Sequence, residues 1–289
     1  MARREMKLLK ERKIAELVAP PKGSSVLEAS GVIVKGGDFY VVFDNIRRAA
    51  RIGPSLAPGS PRHGWFGRRR AGEGYEDIAY SPNRKRFYLL VEAEKHIDGT
   101  YKAIVDQCDE TGRFTETHWI DFPLEKRNTG FEGLAAVRWK GVDYLLALCE
   151  GNKCRAGRKG RIGGGGRIHV LVRKAGVWSP VAQIKLPQTV DFEDYAAVAL
   201  RGDRIAVISQ ATSRLWIGRL RYETWTVAGR GRIYDFPRTK RGKPRYCNLE
   251  GVSWLSNTTF VLVSDLPKAW CGKRCAKTGQ SIHIFALPG

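Results

Sequence analysis

Four glutamates and one serine recur along this chain in the same short setting: a residue with a side-chain oxygen, then a small or acidic residue, then an apolar run. They are Ser30 in Ala29-Ser30-Gly31-Val32, Glu76 in Tyr75-Glu76-Asp77-Ile78, Glu132 in Phe131-Glu132-Gly133-Leu134, Glu193 in Phe192-Glu193-Asp194-Tyr195 and Glu250 in Leu249-Glu250-Gly251-Val252. The copies stand roughly fifty to sixty residues apart, a period that marks a repeat architecture. If the repeats form a ring, these five side chains converge, and four carboxylates held together without a cation repel one another and force some to stay protonated. A hard divalent cation with oxygen ligands removes that conflict. Calcium, which accepts roughly six to eight oxygens, suits such a ring better than magnesium. The competing reading is a hydrated polar channel whose acids bond to backbone amides or to arginines.

A second layer of oxygens follows the second apolar run of each repeat. Asp44, Glu92 and Glu150 fall there, as do Gln210 and Asp265, with Asn45 and Asn152 close by. Beside a metal, Asp44, Glu92 and Glu150 are candidate catalytic groups that position or deprotonate a water, while the cation polarises a phosphoryl or acyl oxygen. Arg47 and Arg48 follow Asp44 and are candidates to hold an anionic group bidentately. Asn45, Asn152, Gln210 and Asp265 complete the candidate ligand-binding set.

The elements that must position these residues are strands. Each repeat continues from its first strand through a tight turn into a second apolar run, such as Phe39-Tyr40-Val41-Val42-Phe43 or Tyr144-Leu145-Leu146-Ala147-Leu148. A third run follows in every repeat and a fourth in several, as in Thr117 to Pro123. Four strands per unit of about fifty residues is the signature of a propeller blade. The chain therefore reads as all-β: one five-bladed β-propeller over residues 1–289, with four-stranded blades. The last repeat supplies only three strands, and the N-terminal stretch at about 13–20 is expected to complete it, closing the ring by pairing the two terminal strands and protecting its edges. A two-sheet sandwich is the alternative and leaves the repeat unexplained. Alternation of strand direction puts the long basic loops, including 62–74, 92–100, 150–166, 238–248 and 265–280, on one face beside the repeated acids. That face is the candidate functional one.

Composition adds a separate clue. Lys and Arg number 50 against 29 Asp and Glu, a formal charge of +21. Clusters at Arg68-Arg69-Arg70, 155–161, 238–245 and Lys273-Arg274 all lie on the loop face. Such a field draws an anionic small molecule or polyanion toward the acidic centre. Aromatic residues interleave only sparsely with these clusters and no recognition module is visible, which argues against a sequence-specific nucleic-acid reader. The run Gly163-Gly164-Gly165-Gly166 lacks the Gly-Lys-Ser/Thr of a phosphate loop and leads into a strand, so it reads as a hairpin loop. Among six cysteines, the close pairs Cys149 with Cys154 and Cys271 with Cys275 are candidate disulfides in an oxidising compartment. No stretch is apolar and long enough to span a membrane as a helix. The charged N-terminus lacks the apolar core of a signal peptide, so the expectation is a cytoplasmic protein if the chain is complete and an exported one if a leader was removed. The expected state is a monomer.

The segment from Ser30-Gly31-Val32-Ile33-Val34 through Phe39-Tyr40-Val41-Val42-Phe43-Asp44 resembles the first blade of the soluble calcium-activated nucleotidases (apyrases). The Glu-Gly-Leu-Ala repeat is similar to that of the phytase-like esterase and SdiA-regulated propellers. The nucleotidase resemblance implies calcium in a central tunnel with one oxygen-bearing side chain from each blade, at positions matched here by Ser30, Glu76, Glu132, Glu193 and Glu250. The chain departs from it at Glu193, where that family tends to use a second serine, and at Asn45-Ile46-Arg47, which replaces an acidic and basic pair. The leading expectation is a calcium-dependent hydrolase of phosphoanhydride or phosphoester bonds acting at the channel mouth. The alternative is a non-enzymatic, calcium-stabilised scaffold that binds an anionic ligand.

Overall fold

The computed structural model describes residues 4–24, 26–127, 129–266 and 273–289. Five small antiparallel sheets form a five-bladed β-propeller. Strand β1 (Lys7–Lys13) precedes blade 1, which holds β2 (Ala29–Lys35), β3 (Asp38–Phe43), β4 (Ile46–Ile52) and β5 (Gly64–Phe66). Blade 2 holds β6 (Asp77–Ser81), β7 (Arg86–Lys95), β8 (Tyr101–Asp109) and β9 (Phe114–Trp119). Blade 3 holds β10 (Phe131–Trp139), β11 (Val142–Cys149), β12 (Arg167–Lys174) and β13 (Val177–Lys185). In blade 4, β14 (Ala197–Arg201), β15 (Arg204–Ser209) and β16 (Arg214–Arg221) are followed by two short strands, β17 (Thr226–Val227) and β18 (Arg232–Asp235), which share the outer edge of β16. Blade 5 holds β19 (Leu249–Trp254), β20 (Thr259–Ser264) and β21 (Ser281–Ala286), with β1 as its outermost strand.

The ring thus closes by pairing the two ends of the chain, but the closing strand lies earlier than the sequence suggested. Lys7–Lys13 pairs with β21, whereas Ile14–Glu16 forms a 3-10 turn. The alternation in Lys7–Lys13 is masked by its charges, since only one face of this outermost strand is covered. Its Glu11 carboxylate lies 2.9 Å from Nδ1 of the buried His283 on β21, and His283 Nε2 lies 3.0 Å from Ser264 Oγ on β20. A polar thread therefore crosses the closed seam. The apolar core lies mainly between neighbouring blades. Phe43 and Val41 of blade 1, for example, pack with Val263 and Ile282 of blade 5.

The repeated motif has a local structural meaning. In β2, Ala29 pairs with Phe43 and Gly31 with Val42, so Ser30 is an extra, unpaired residue. The same shift isolates Glu132 between Phe131 and Gly133, and Glu250 between Leu249 and Gly251. These are β-bulges, which re-aim the inserted side chain. The glycine after each bulge is required by close approach of the inner strands. A Cβ on Gly31 would fall 2.7 Å from Asp77 Cα, one on Gly251 would fall 2.9 Å from the Gly31 backbone, and one on Gly133 would fall 2.8 Å from the Val198 nitrogen. Blade 2 carries Asp77 instead, whose carboxylate reaches across to accept the Leu134 N–H at 2.7 Å and also accepts its neighbour Ile78 N–H at 2.8 Å. Overpacking of this kind costs about 1–3 kcal/mol. Gly31→Ala should lower unfolding stability by that amount in a denaturant titration, since its new neighbour is backbone that cannot rotate away.

Candidate functional site

The bulged residues open onto the end of the channel at which the second strands finish. The residue after the second strand is fixed there by a repeated backbone contact. Asp44 N–H donates to the Glu28 carbonyl at 2.9 Å, Glu150 N–H to Gly130 at 3.1 Å and Asp265 N–H to Asn248 at 3.0 Å. Glu92 is aimed by another device, a register shift in β7 between Val91 and Glu94. Gln210 follows β15 in the matching place and is buried. The disulfide Cys149–Cys154 closes the loop that carries Glu150.

These placements bring carboxylates within mutual influence. Glu76 and Glu132 are joined by a hydrogen bond, and both are held well above the ordinary carboxylate range. Burial is the main cause for each. Glu92, Asp44 and Glu250 add repulsion at Glu76, while Glu76, Glu150, Glu250 and Glu92 add it at Glu132. Asp44 is raised to about 8, first by desolvation, then by its hydrogen bond with Glu28 and by the charges of Asp265, Glu28 and Glu250. Glu92 is raised to about 7 by desolvation and the charge of Glu150. Glu28 was not singled out in the sequence because it precedes the repeated motif, with no counterpart acid at Gly130 or Asn248.

Blade 4 departs from the pattern. Ala197 pairs with Ile208 as Gly133 pairs with Leu148 and Asp77 with Leu90, so the position equivalent to Glu132 and Glu76 is Ala196. Its N–H donates to Ile208 O at 3.0 Å, as the Glu76 N–H donates to Leu90 O at 2.9 Å. Glu193, expected in the ring, stands three residues earlier on the exposed rim. The strand register aligns Tyr195-Ala196-Ala197-Val198 with Tyr75-Glu76-Asp77-Ile78 and Phe131-Glu132-Gly133-Leu134, although Phe192-Glu193-Asp194 carries the same aromatic-acid-acid order. Asp194, next to Glu193, is engaged with β15 and the turn after it, accepting Ser209 Oγ at 2.5 Å and Ala211 N–H. Ser30 does reach the ring position, but its hydroxyl donates to the Tyr75 carbonyl of blade 2.

Several expected ligand-binding groups are committed elsewhere. Arg47 is buried and donates to Asp106 from Nε at 3.1 Å and Nη2 at 2.9 Å, locking blade 1 to blade 2. Arg70, Tyr75 and Thr117 complete the shell of this fully buried aspartate. Arg48 donates to Gly67 O at 2.8 Å and lies over the Trp65 ring, away from the channel. Asn45 braces the preceding loop, with Nδ2 donating to Val26 O at 3.2 Å. Asn152 is buried and gathers the glycine-rich loop, donating to Gly160 O and Phe192 O while accepting Gly165 N–H and the Tyr195 hydroxyl. A position beside Glu150 or Asp44 in sequence therefore does not mean a place in the site.

Cationic groups do meet the acids on the rim. Arg155 and Arg161, with Glu150, Glu193 and Gln210, line a cleft of about 400 Å³ beside the channel mouth. Arg155 is also tied to Glu125 at 3.1 Å. The second disulfide, Cys247–Cys275, lies in the adjoining loops. It replaces the expected pairing of Cys275 with Cys271, and Cys271 lies outside the described residues. Cys247, far away in sequence, becomes the partner because the loops before β19 and before β21 share this face.

No protein-family model matches the chain, and no curated protein matches its sequence. Solved structures do resemble it. Glutaminyl cyclase of Myxococcus xanthus is 13% identical, with 99% of each chain covered and a TM-score of 0.58. The PQQ-bound aldose sugar dehydrogenase of Streptomyces coelicolor is 15% identical over 100% of this chain and 99% of that one, with a TM-score of 0.53. The GH43_1 enzyme of Xanthomonas citri is 12% identical over 95% and 92%, with a TM-score of 0.50. All three are enzymes, and at these identities the likeness establishes the shared fold alone.

Proposed function

We propose that the channel mouth binds calcium through Glu76, Glu132 and Glu250 and that the protein hydrolyses phosphoanhydride or phosphoester bonds there. The observation that carries this reading is the carboxylate cluster itself, in which the charges weighing most on Glu132 are all carboxylates. The donor set is made of hard oxygens from different blades, which fits a cation accepting many oxygen ligands at flexible angles. Bound calcium would supply a Lewis acid that withdraws charge from a phosphoryl oxygen.

The remaining work falls to the chain's own groups. Arg155 and Arg161 meet the outer oxygens of an anionic substrate in the cleft beside Glu150. Asp44, Glu92 and Glu150, on the layer above the bulges, orient a water and accept its proton as its oxygen attacks phosphorus and the bond to the leaving oxygen breaks. The basic surface guides the anion inward, at a net charge of +21. The same arginine-lined cleft also supports a second reading, a calcium-stabilised scaffold that holds an anionic ligand without turnover.

Hydrolysis of nucleoside di- and triphosphates and phosphate monoesters, measured in calcium and again after chelation, decides between the two. Turnover should require calcium. Glu132→Gln should abolish calcium binding, whereas Asp44→Asn should leave binding within a few-fold and remove turnover. Calcium-dependent stabilisation with no turnover of any substrate would favour the scaffold.

The metal-free protein should also betray the cluster through pH. Acids with raised values in the folded state bind more protons there than in the unfolded chain, so their contribution to stability is present below the ordinary carboxylate range and lost as pH rises. With Glu92 at about 7 and Asp44 at about 8, the melting temperature in chelator should fall between about pH 5 and pH 8. Calcium should remove that decline, and at a concentration a hundredfold above its Kd should add about 2.7 kcal/mol.

A further inference from the structure

A second cavity, of about 490 Å³, opens between the outer strands of blades 1 and 2. Its walls are mostly apolar, unlike the cleft beside Glu150. Phe66 of β5 and Phe87 of β7 meet edge to face at 5.2 Å, and Phe114 of β9 also lines the cavity, with the Arg70 guanidinium stacked 3.6 Å from its ring centre. Phe66 is partly exposed and Phe114 exposed, with Phe87 fully buried behind them. Such open aromatic surface is costly to hydrate, and the volume lies within the range of about 300–1,000 Å³ typical of small-ligand pockets.

The charge around the cavity has one sign left over. Arg47 and Arg70 are spent on the buried Asp106, and Arg113 pairs with Asp109 at 3.2 Å. Arg48 uses Nε on the Gly67 carbonyl. Arg68 is exposed at the rim and has no hydrogen-bond or ion-pair partner among the described residues. An occupant that completes this site must bring a flat apolar body for the rings and a negative group for the arginines, which bind carboxylate or phosphate through paired donors.

We propose that this cavity is a second binding site, separate from the channel, for a small organic anion with a flat apolar body: the rings lie against Phe66 and Phe114, over the buried Phe87, and the anionic head meets Arg48 and Arg68. The site requires neither calcium nor the channel acids. Carboxylate and phosphate heads share the necessary chemistry.

Calorimetric titration with 2-naphthoate, 2-naphthyl phosphate and the neutral 2-naphthalenemethanol tests it. At least one anion should bind with a Kd below about 100 μM, and the neutral compound at least tenfold more weakly, with the better anion showing which head is preferred. Arg68→Glu, at an exposed position, should weaken the anion at least tenfold and leave the neutral compound unchanged. Cys108 lines the cavity and is half-buried. Cys108→Phe should fill it and abolish binding of all three, and chelation of calcium should change none of the affinities. The proposal is overturned if no anion binds below millimolar concentration, if the neutral compound binds as well, or if Arg68→Glu leaves anion affinity intact.

Discussion

Carboxylates from blades 2, 3 and 5 share one buried end of the channel, Glu76 hydrogen-bonded to Glu132 and both under the charge of Glu250, on backbone that has no room to separate. The inner strands approach so closely that the residues after the bulges at Ser30, Glu132 and Glu250 are all glycine. Each bulge turns a side chain out of the ladder toward the axis, and the acids after the second strands form a further layer above. Burial first, and repulsion within that arrangement second, make Glu76, Glu132, Asp44 and Glu92 all hold protons more tightly than ordinary carboxylates. A propeller tolerates such a centre because its stability comes from elsewhere, from the apolar layers between blades and from the closed seam between β1 and β21.

The distribution of charge sharpens this point. A chain with 50 basic and 29 acidic residues places many of its acids in one small volume and its basic loops around them. The arginines nearest in sequence to the acids are withdrawn from the channel. Arg47 is drawn into the seam between blades by Asp106, an aspartate that no local pattern connects with it. The result is an acidic well within a cationic surface.

How much of this was legible in the sequence follows from the range of the interactions involved. The blades were legible because each strand carries its own apolar run and each repeat carries the same motif. The bulge positions of Ser30, Glu132 and Glu250 were legible because bulge and close approach both fall within two consecutive residues, and Glu76 was legible from its matching place before β6. Glu193 misled because its acid pair mimics Glu76-Asp77, while the register is fixed by Tyr195 and the strand that follows it. The closing strand was misplaced because Lys7–Lys13 is an outer strand whose exposed face hides its alternation. The Arg47–Asp106 lock and the Cys247–Cys275 bond were not legible, since both join segments that only the closed ring brings together.

The most direct test of the account is an X-ray structure of crystals grown in calcium, with an anomalous difference map. The account predicts one strong peak in the channel, with oxygens of Glu76, Glu132 and Glu250 at about 2.3–2.6 Å from it. A channel that holds only water, with those carboxylates bonded to one another and any calcium bound elsewhere, would contradict it.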